Sequence, residues 1–231
     1  ANAAKEPPTK LGVGVGKSIT VEQVIYSLVT KSANDASTAI AEHLGGSETK
    51  FAAMMTAKAR SLGMSKTTFR NAHGLPNSGQ VTTARDMARL GIALREHFPR
   101  QYKYFSTRSF KFGGTNMGNH NRLLGAVRGV DGIKTGYVRM SGFNLVASVN
   151  RRGRRLIVVV MGGRTGRERN ARVEALIDQY LGPASGAVAG LPARRPGQSR
   201  TGFCCRTQRF HIFSRGSRPL LPRSTLRREA L

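Results

Sequence analysis

The chain has 231 residues, of which 38 are Lys or Arg and 12 are Asp or Glu, for a formal net charge of +26. A hydrophobic content of 39% over this length is enough to bury a core, which argues against a wholly disordered chain. No apolar run approaches the ~18 residues of a membrane span, and two cysteines cannot form a disulfide scaffold.

The charge is uneven. Residues 1–182 carry 28 basic against 11 acidic side chains, a net of +17; residues 183–231 carry 10 basic, all arginine, against 1 acidic, a net of +9. The C-terminal stretch also holds Cys204 and Cys205 and has no sustained period of 3.6 or 2. This pattern predicts a domain over 1–182 and a disordered Arg-rich tail over 183–231. Adjacent cysteines would close a strained ring, so both are expected to be free thiols.

In chain order, Ala1 to Pro8 shows no charged segment followed by an apolar one, so no signal peptide is expected within this sequence. Val21, Val24, Ile25, Leu28 and Val29 have helical spacing, with Thr20 as the N-cap. Lys31 to Asp35 interrupts with capping residues. A second helix follows through Ala36, Ala39, Ile40 and Leu44, stopped by Gly45-Gly46. Ser47 starts a third helix through Leu62, and Thr82-Thr83 a fourth, running towards Pro99. Then the period changes: Phe143, Leu145, Ala147 and Val149 alternate, Arg151 to Arg154 makes a hairpin turn, and Leu156 to Met161 suits a central strand. A closing helix carries Val173, Leu176, Ile177 and Tyr180. The order predicts an α+β fold with a helical layer on an antiparallel sheet.

Several chemistries are poorly supported. Gly12 to Ser18 mimics a phosphate loop, but Leu11 stands where the first glycine belongs and no strand precedes it. The five histidines lack metal-ligand spacing, so no metal and no cofactor are expected. Charge alone suggests nucleic acid, and no specific nucleic-acid partner is expected.

Three short patterns carry more. Ser32-Ala33-Asn34 lies between two helices, Asn71-Ala72-His73-Gly74-Leu75-Pro76 forms a polar loop, and Lys134-Thr135-Gly136 follows Val130-Asp131-Gly132-Ile133. Each alone has a plainer reading: helix capping for the first, a satisfied structural histidine for the second. Together they resemble the S-x-N and K-T-G signature of penicillin-binding proteins and class A β-lactamases. The chain is most similar to the serine-type D-alanyl-D-alanine carboxypeptidases of the peptidase S11 family, the low-molecular-mass penicillin-binding proteins. The resemblance spans about residues 9–182 and includes Val21 to Leu44, Thr67 to Met87 and Asn121 to Val149.

The resemblance implies a penicillin-binding protein/β-lactamase-like transpeptidase fold, N-terminally incomplete. It implies that Ser32 relays a proton to the leaving amine, Asn34 orients the peptide amide and Lys134 supplies positive field. Thr135 would bind the substrate carboxylate, Gly136 would let its backbone approach, and His73 would join the substrate site. The partners implied are peptidoglycan stem peptides, with β-lactams as inhibitors, at the periplasmic face of the inner membrane; membrane association would run through parts outside this chain. A β-lactamase is disfavoured directly, because its deacylating Glu has no counterpart: no acidic residue lies between Glu48 and Asp86. A basic protein binding anionic polymers is the other alternative.

One element is missing. The family's nucleophile sits in an S-x-x-K upstream of S-x-N, three residues placing serine and lysine on one helical face. The only S-x-x-K here is Ser47 to Lys50, after S-x-N and at a helix start, where capping is the better reading. The expectation is therefore a chain that lacks its nucleophile and is inactive as it stands.

Overall fold

The computed structural model describes residues 2–183. The expectations for the Arg-rich tail and for Cys204 and Cys205 lie outside those residues. Helix α1 (Val21–Thr30) opens with a full capping box: Thr20 Oγ1 accepts from the Gln23 amide, and Gln23 Oε1 accepts from the Thr20 amide. Helix α2 (Asn34–Gly45) stops where Gly46 turns left-handed at φ 72°. Helix α3 (Glu48–Ser61) is capped by Ser47, whose hydroxyl accepts from the Lys50 amide. The S-x-x-K at this point is thus a helix cap, as expected. Helix α4 (Ala84–His97) is capped by Thr83 and leads into a 3-10 turn over Gln101–Ser106.

Two strands escaped the periodicity reading. β1 (Ser109–Phe112) and β2 (Thr115–Gly118) form a small hairpin with Gly113-Gly114 at its tip. Four residues are too few to display a period of two. Their apolar side chains, Phe110, Phe112 and Met117, pack with Leu11, Ala33 and Ala36, so the hairpin closes the helical lobe around the Ser32 turn.

The main sheet has the order β3 (Val130–Val138), β4 (Gly142–Arg151), β5 (Arg154–Gly163), antiparallel throughout. Arg152 and Gly153 both take positive φ, 53° and 72°, the combination a two-residue hairpin turn needs. Helix α5 (Gly166–Leu181), capped by Thr165, lies on one face. Leu145, Val149, Leu156 and Val158 join its Val173, Leu176 and Ile177 there. On the other face Val146, Ile157 and Val159 meet Ala84 and Ala88 of α4. The α+β class is as expected. The apolar run Leu156 to Met161 forms β5, which among the described residues pairs with β4 alone, β4 lying between β3 and β5. The run is continuous because helices bury both faces of β5, and that says nothing about partners on its edges. Gly91 brings α4 close to the sheet: a Cβ there would stand 3.0 Å from Ile133 Cδ1. This seats the helical lobe against the strand that carries Lys134.

Candidate active site

Ser32 occupies the link between α1 and α2 and takes φ 56°, a left-handed conformation costly for a residue with a Cβ. The capping reading of this turn is corrected: the N-cap of α2 is Ala33, which offers no side-chain bond. The turn is instead held by α1, whose Ser27 carbonyl accepts from the Lys31 and Ala33 amides, and by the N-terminal segment. Thr9 Oγ1 lies 2.9 Å from the Lys31 carbonyl and 2.8 Å from that of Ser32. The Asn34 amide donates to the Thr9 carbonyl at 2.8 Å, and Asn34 Nδ2 to the Pro7 carbonyl at 2.9 Å. The buried Asp35 carboxylate accepts from the amides of Leu11 and Gly12, each at 2.8 Å. The glycine-rich stretch that mimics a phosphate loop therefore turns one of its amides towards a carboxylate of the protein itself.

Lys134 sits mid-way along β3. Its Nζ donates to Ser32 Oγ, 102 residues away in sequence, and to the Thr135 carbonyl at 3.0 Å. Burial, with the Arg169 guanidinium adding to it, lowers the Lys134 pKa to about 8. The ammonium therefore stays charged at neutral pH but gives up its proton far more readily than an ordinary lysine. Thr135 and Gly136 pair with Leu145 and Asn144 of β4, and among the described residues no strand pairs with the other edge of β3. A Cβ on Gly136 would meet only Asn144 Cβ, at 3.9 Å.

Two residues that motif reading passed over belong here. Arg169, buried on α5, donates from Nη1 to the Asn144 carbonyl at 2.7 Å, directly behind the strand position paired with Gly136. Nothing in the sequence distinguishes it from the other arginines of α5; only its burial does. His120 is tied by its backbone amide to the Thr30 carbonyl, at 3.3 Å. Burial first, then the neighbouring cations Lys134, Lys31 and Arg122, push its pKa below 6.5, so it is neutral at pH 7.

His73 lies elsewhere. Its Nε2 is 3.1 Å from Glu48 Oε1 and 3.6 Å from Glu6 Oε2, and its Nδ1 accepts from the Leu75 amide at 3.1 Å. The structure does not bring it into hydrogen-bond contact with Ser32 or Lys134. Glu6, Glu48 and His73 converge closely enough to hold a cation. The hydrogen bonding argues for another use. An Nδ1 that accepts a backbone N–H leaves the ring proton on Nε2, facing the carboxylates. A metal on Nε2 would displace that proton with no place for it on Nδ1. The trio is a polar junction that brings the N-terminal segment and the start of α3 to the His73 loop.

Residues 8–165 match the family model of peptidase S11, D-alanyl-D-alanine carboxypeptidase. The chain belongs to this family. The D-alanyl-D-alanine carboxypeptidases DacC and DacA of Escherichia coli (strain K12) are each 40% identical over 163 residues, which is 70% of this chain and 41% and 40% of theirs. The S11 chain thus spans about two fifths of the length of these curated relatives. Among solved structures, the carboxypeptidase DacD from Francisella tularensis superposes with a TM-score of 0.73 at 26% identity, covering 78% of this chain and 56% of that one. Penicillin binding protein 5 from Haemophilus influenzae gives 0.71 at 31%, covering 75% and 51%. Penicillin-Binding Protein D2 from Listeria monocytogenes, solved in an ampicillin-bound form, gives 0.67 at 28%, covering 75% and 73%. In this S11 domain, S-x-N comes from the helical lobe and K-T-G from the sheet, and the Lys134–Ser32 bond joins them.

Proposed function

We propose that this chain carries the proton-relay and carboxylate-binding half of a serine-type D-alanyl-D-alanine carboxypeptidase acting on peptidoglycan stem peptides in the bacterial cell envelope, on the periplasmic side. The observation that carries the reading is the hydrogen bond from a depressed-pKa lysine to Ser32. In the complete enzyme a serine attacks the carbonyl of the D-Ala-D-Ala amide, the C–N bond breaks and the departing amine takes a proton; water then hydrolyses the acyl-enzyme ester. Ser32 hands that proton over, and Lys134 replenishes it and holds positive potential at the site. Thr135, with Arg169 behind it, receives the terminal carboxylate. The open edge of β3 pairs with the substrate backbone as an added strand. Asn34 orients the substrate amide through the part of its carboxamide not bonded to Pro7. His73 acts on the site only by bracing the N-terminal segment.

Gly136 supports the open-edge reading. Its surroundings leave room for a side chain, so what requires a glycine is an approaching ligand rather than the fold. Gly136→Val is expected to leave the thermal midpoint nearly unchanged while weakening binding of an acyl-D-Ala-D-Ala peptide to the complete protein at least tenfold. A large loss of stability with binding retained would contradict the assignment.

The attacking serine is not among these 231 residues, because the only S-x-x-K caps α3. Labelled penicillin incubated with the purified chain should therefore leave no covalent adduct, and a stoichiometric adduct would overturn this part of the reading. The β-lactams enter as acylating inhibitors of the complete protein, which is expected to release D-alanine from an acyl-D-Ala-D-Ala peptide.

A further inference from the structure

Ser32 takes its left-handed conformation just past the C-cap of α1, where the Lys31 and Ala33 amides both donate to the Ser27 carbonyl, at 3.0 and 3.4 Å. Its positive φ costs about 1–2 kcal/mol relative to the right-handed region, and α2 begins without a side-chain cap that would fix the entering chain. With α1 closing the turn on one side, the N-terminal segment holds the other. The carbonyls of Lys31 and Ser32, which flank the Ser32 Cα, both converge on the hydroxyl of Thr9, at 2.9 and 2.8 Å. One hydroxyl proton serves two acceptors, an arrangement possible only while both carbonyls point the same way. On the far side of the turn the Asn34 amide donates to the Thr9 carbonyl. Thr9 therefore grips the polypeptide before and after Ser32. It is itself fixed on both sides: Pro7 is held by Asn34 Nδ2, and Leu11 and Gly12 by the Asp35 carboxylate.

We propose that Thr9 is a positioning residue of this site, its hydroxyl clamping the Lys31–Ser32 turn so that the Ser32 hydroxyl stays against the Lys134 ammonium. Thr9 acts through Ser32. Its methyl group is not needed for the clamp, and its hydroxyl is. The inference deepens the proton-relay reading of Ser32 and rests on it for its catalytic meaning, while the clamp itself is a property of the chain alone.

The test is the titration of Lys134 Nζ, followed by NMR on the full chain with labelled lysine, in the unsubstituted protein, Thr9→Val and Thr9→Ser. Valine keeps the shape and removes the donor; serine keeps the donor. In T9V the turn relaxes, Ser32 leaves the ammonium, the charged form loses an acceptor, and the Lys134 midpoint moves below about 8. The proximity signal between Ser32 and Lys134 is lost with it. T9S retains both the midpoint and the signal. A merely structural role would lower the melting temperature of T9V and leave the Lys134 midpoint in place, which overturns the proposal. T9S behaving like T9V overturns it as well, because the hydroxyl would then not be what matters. If T9V does not fold, T9A is measured in its place; collapse of both with T9S folded makes Thr9 a general stability residue and also overturns the proposal. Failure of the complete protein to release D-alanine would refute the relay reading and leave this result untouched.

Discussion

Between about pH 8 and 10.5 the chain is expected to become more stable as pH rises, because of Lys134. Its folded pKa is about 8, against an ordinary value of 10.5. Over that window the unfolded chain binds the proton and the folded chain does not, so stability climbs with pH. Below pH 8 both states are protonated and the full penalty of the buried ammonium remains, at most about 3 kcal/mol for a shift of this size. Lys134→Met keeps the stem and removes the charge. The variant should be more stable than the parent at pH 7 by about 1–2 kcal/mol, after allowance for the Thr135 carbonyl that loses its donor. Its advantage should vanish near pH 10.5. Urea unfolding of both proteins across this range isolates Lys134, since every other titrating group cancels in the difference. Parallel curves for the two proteins would show that Lys134 is not the titrating group. In the complete protein the same substitution should lower D-alanine release by about 100- to 10,000-fold, the range of a lost proton-transfer group. A residue that weakens the fold and is needed for turnover is what the site assignment requires.

The second large effect is at Arg151, at the opposite end of the sheet. Its buried side chain donates to the Arg128 carbonyl from Nε and Nη2, at 3.3 and 3.2 Å, to the Gly182 carbonyl, and to Asp178 Oδ1 at 2.9 Å. It thus joins the end of β4, the loop before β3 and the C-terminus of α5. Arg151→Ala leaves two carbonyls without this donor and opens a cavity, with an expected loss of about 3–5 kcal/mol. Asp178→Ala should cost only about 1 kcal/mol or less, because Asp178 is half exposed and Arg151 keeps both carbonyls. For a domain of this size the difference amounts to roughly 10 °C in melting temperature. Equal losses in the two variants would mean that the ion pair, and not the carbonyl contacts, holds this corner.

Much of the fold was readable along the chain because the signals are local. Thr20, Ser47 and Thr83 cap helices whose positions follow from their own hydrogen-bonding chemistry. Arg152-Gly153 makes a turn because a two-residue hairpin needs positive φ at both positions. The β1–β2 hairpin was not readable, since strands of four residues derive their stability from packing on the helical lobe. The place of β5 among the described strands was not readable for a related reason: hydrophobicity reports whether faces are buried, and strand order depends on pairing between distant segments.

The site divides in the same way. The sequence by itself determined the family, through Ser32-Ala33-Asn34 and Lys134-Thr135-Gly136, and the order in which those motifs occur. It also determined that the S-x-x-K at Ser47 is a helix cap, since the capping residue and its acceptor geometry lie within one turn. Only the tertiary structure decided which polar side chains meet. It set Lys134 against Ser32, selected Arg169 from a helix with several arginines, bound His73 to Glu6 and Glu48, and placed Thr9 beneath the Ser32 turn. A pKa follows the same rule: the depressed value of Lys134 on β3 comes from burial and from the Arg169 charge on α5, neither of which exists until the chain has packed.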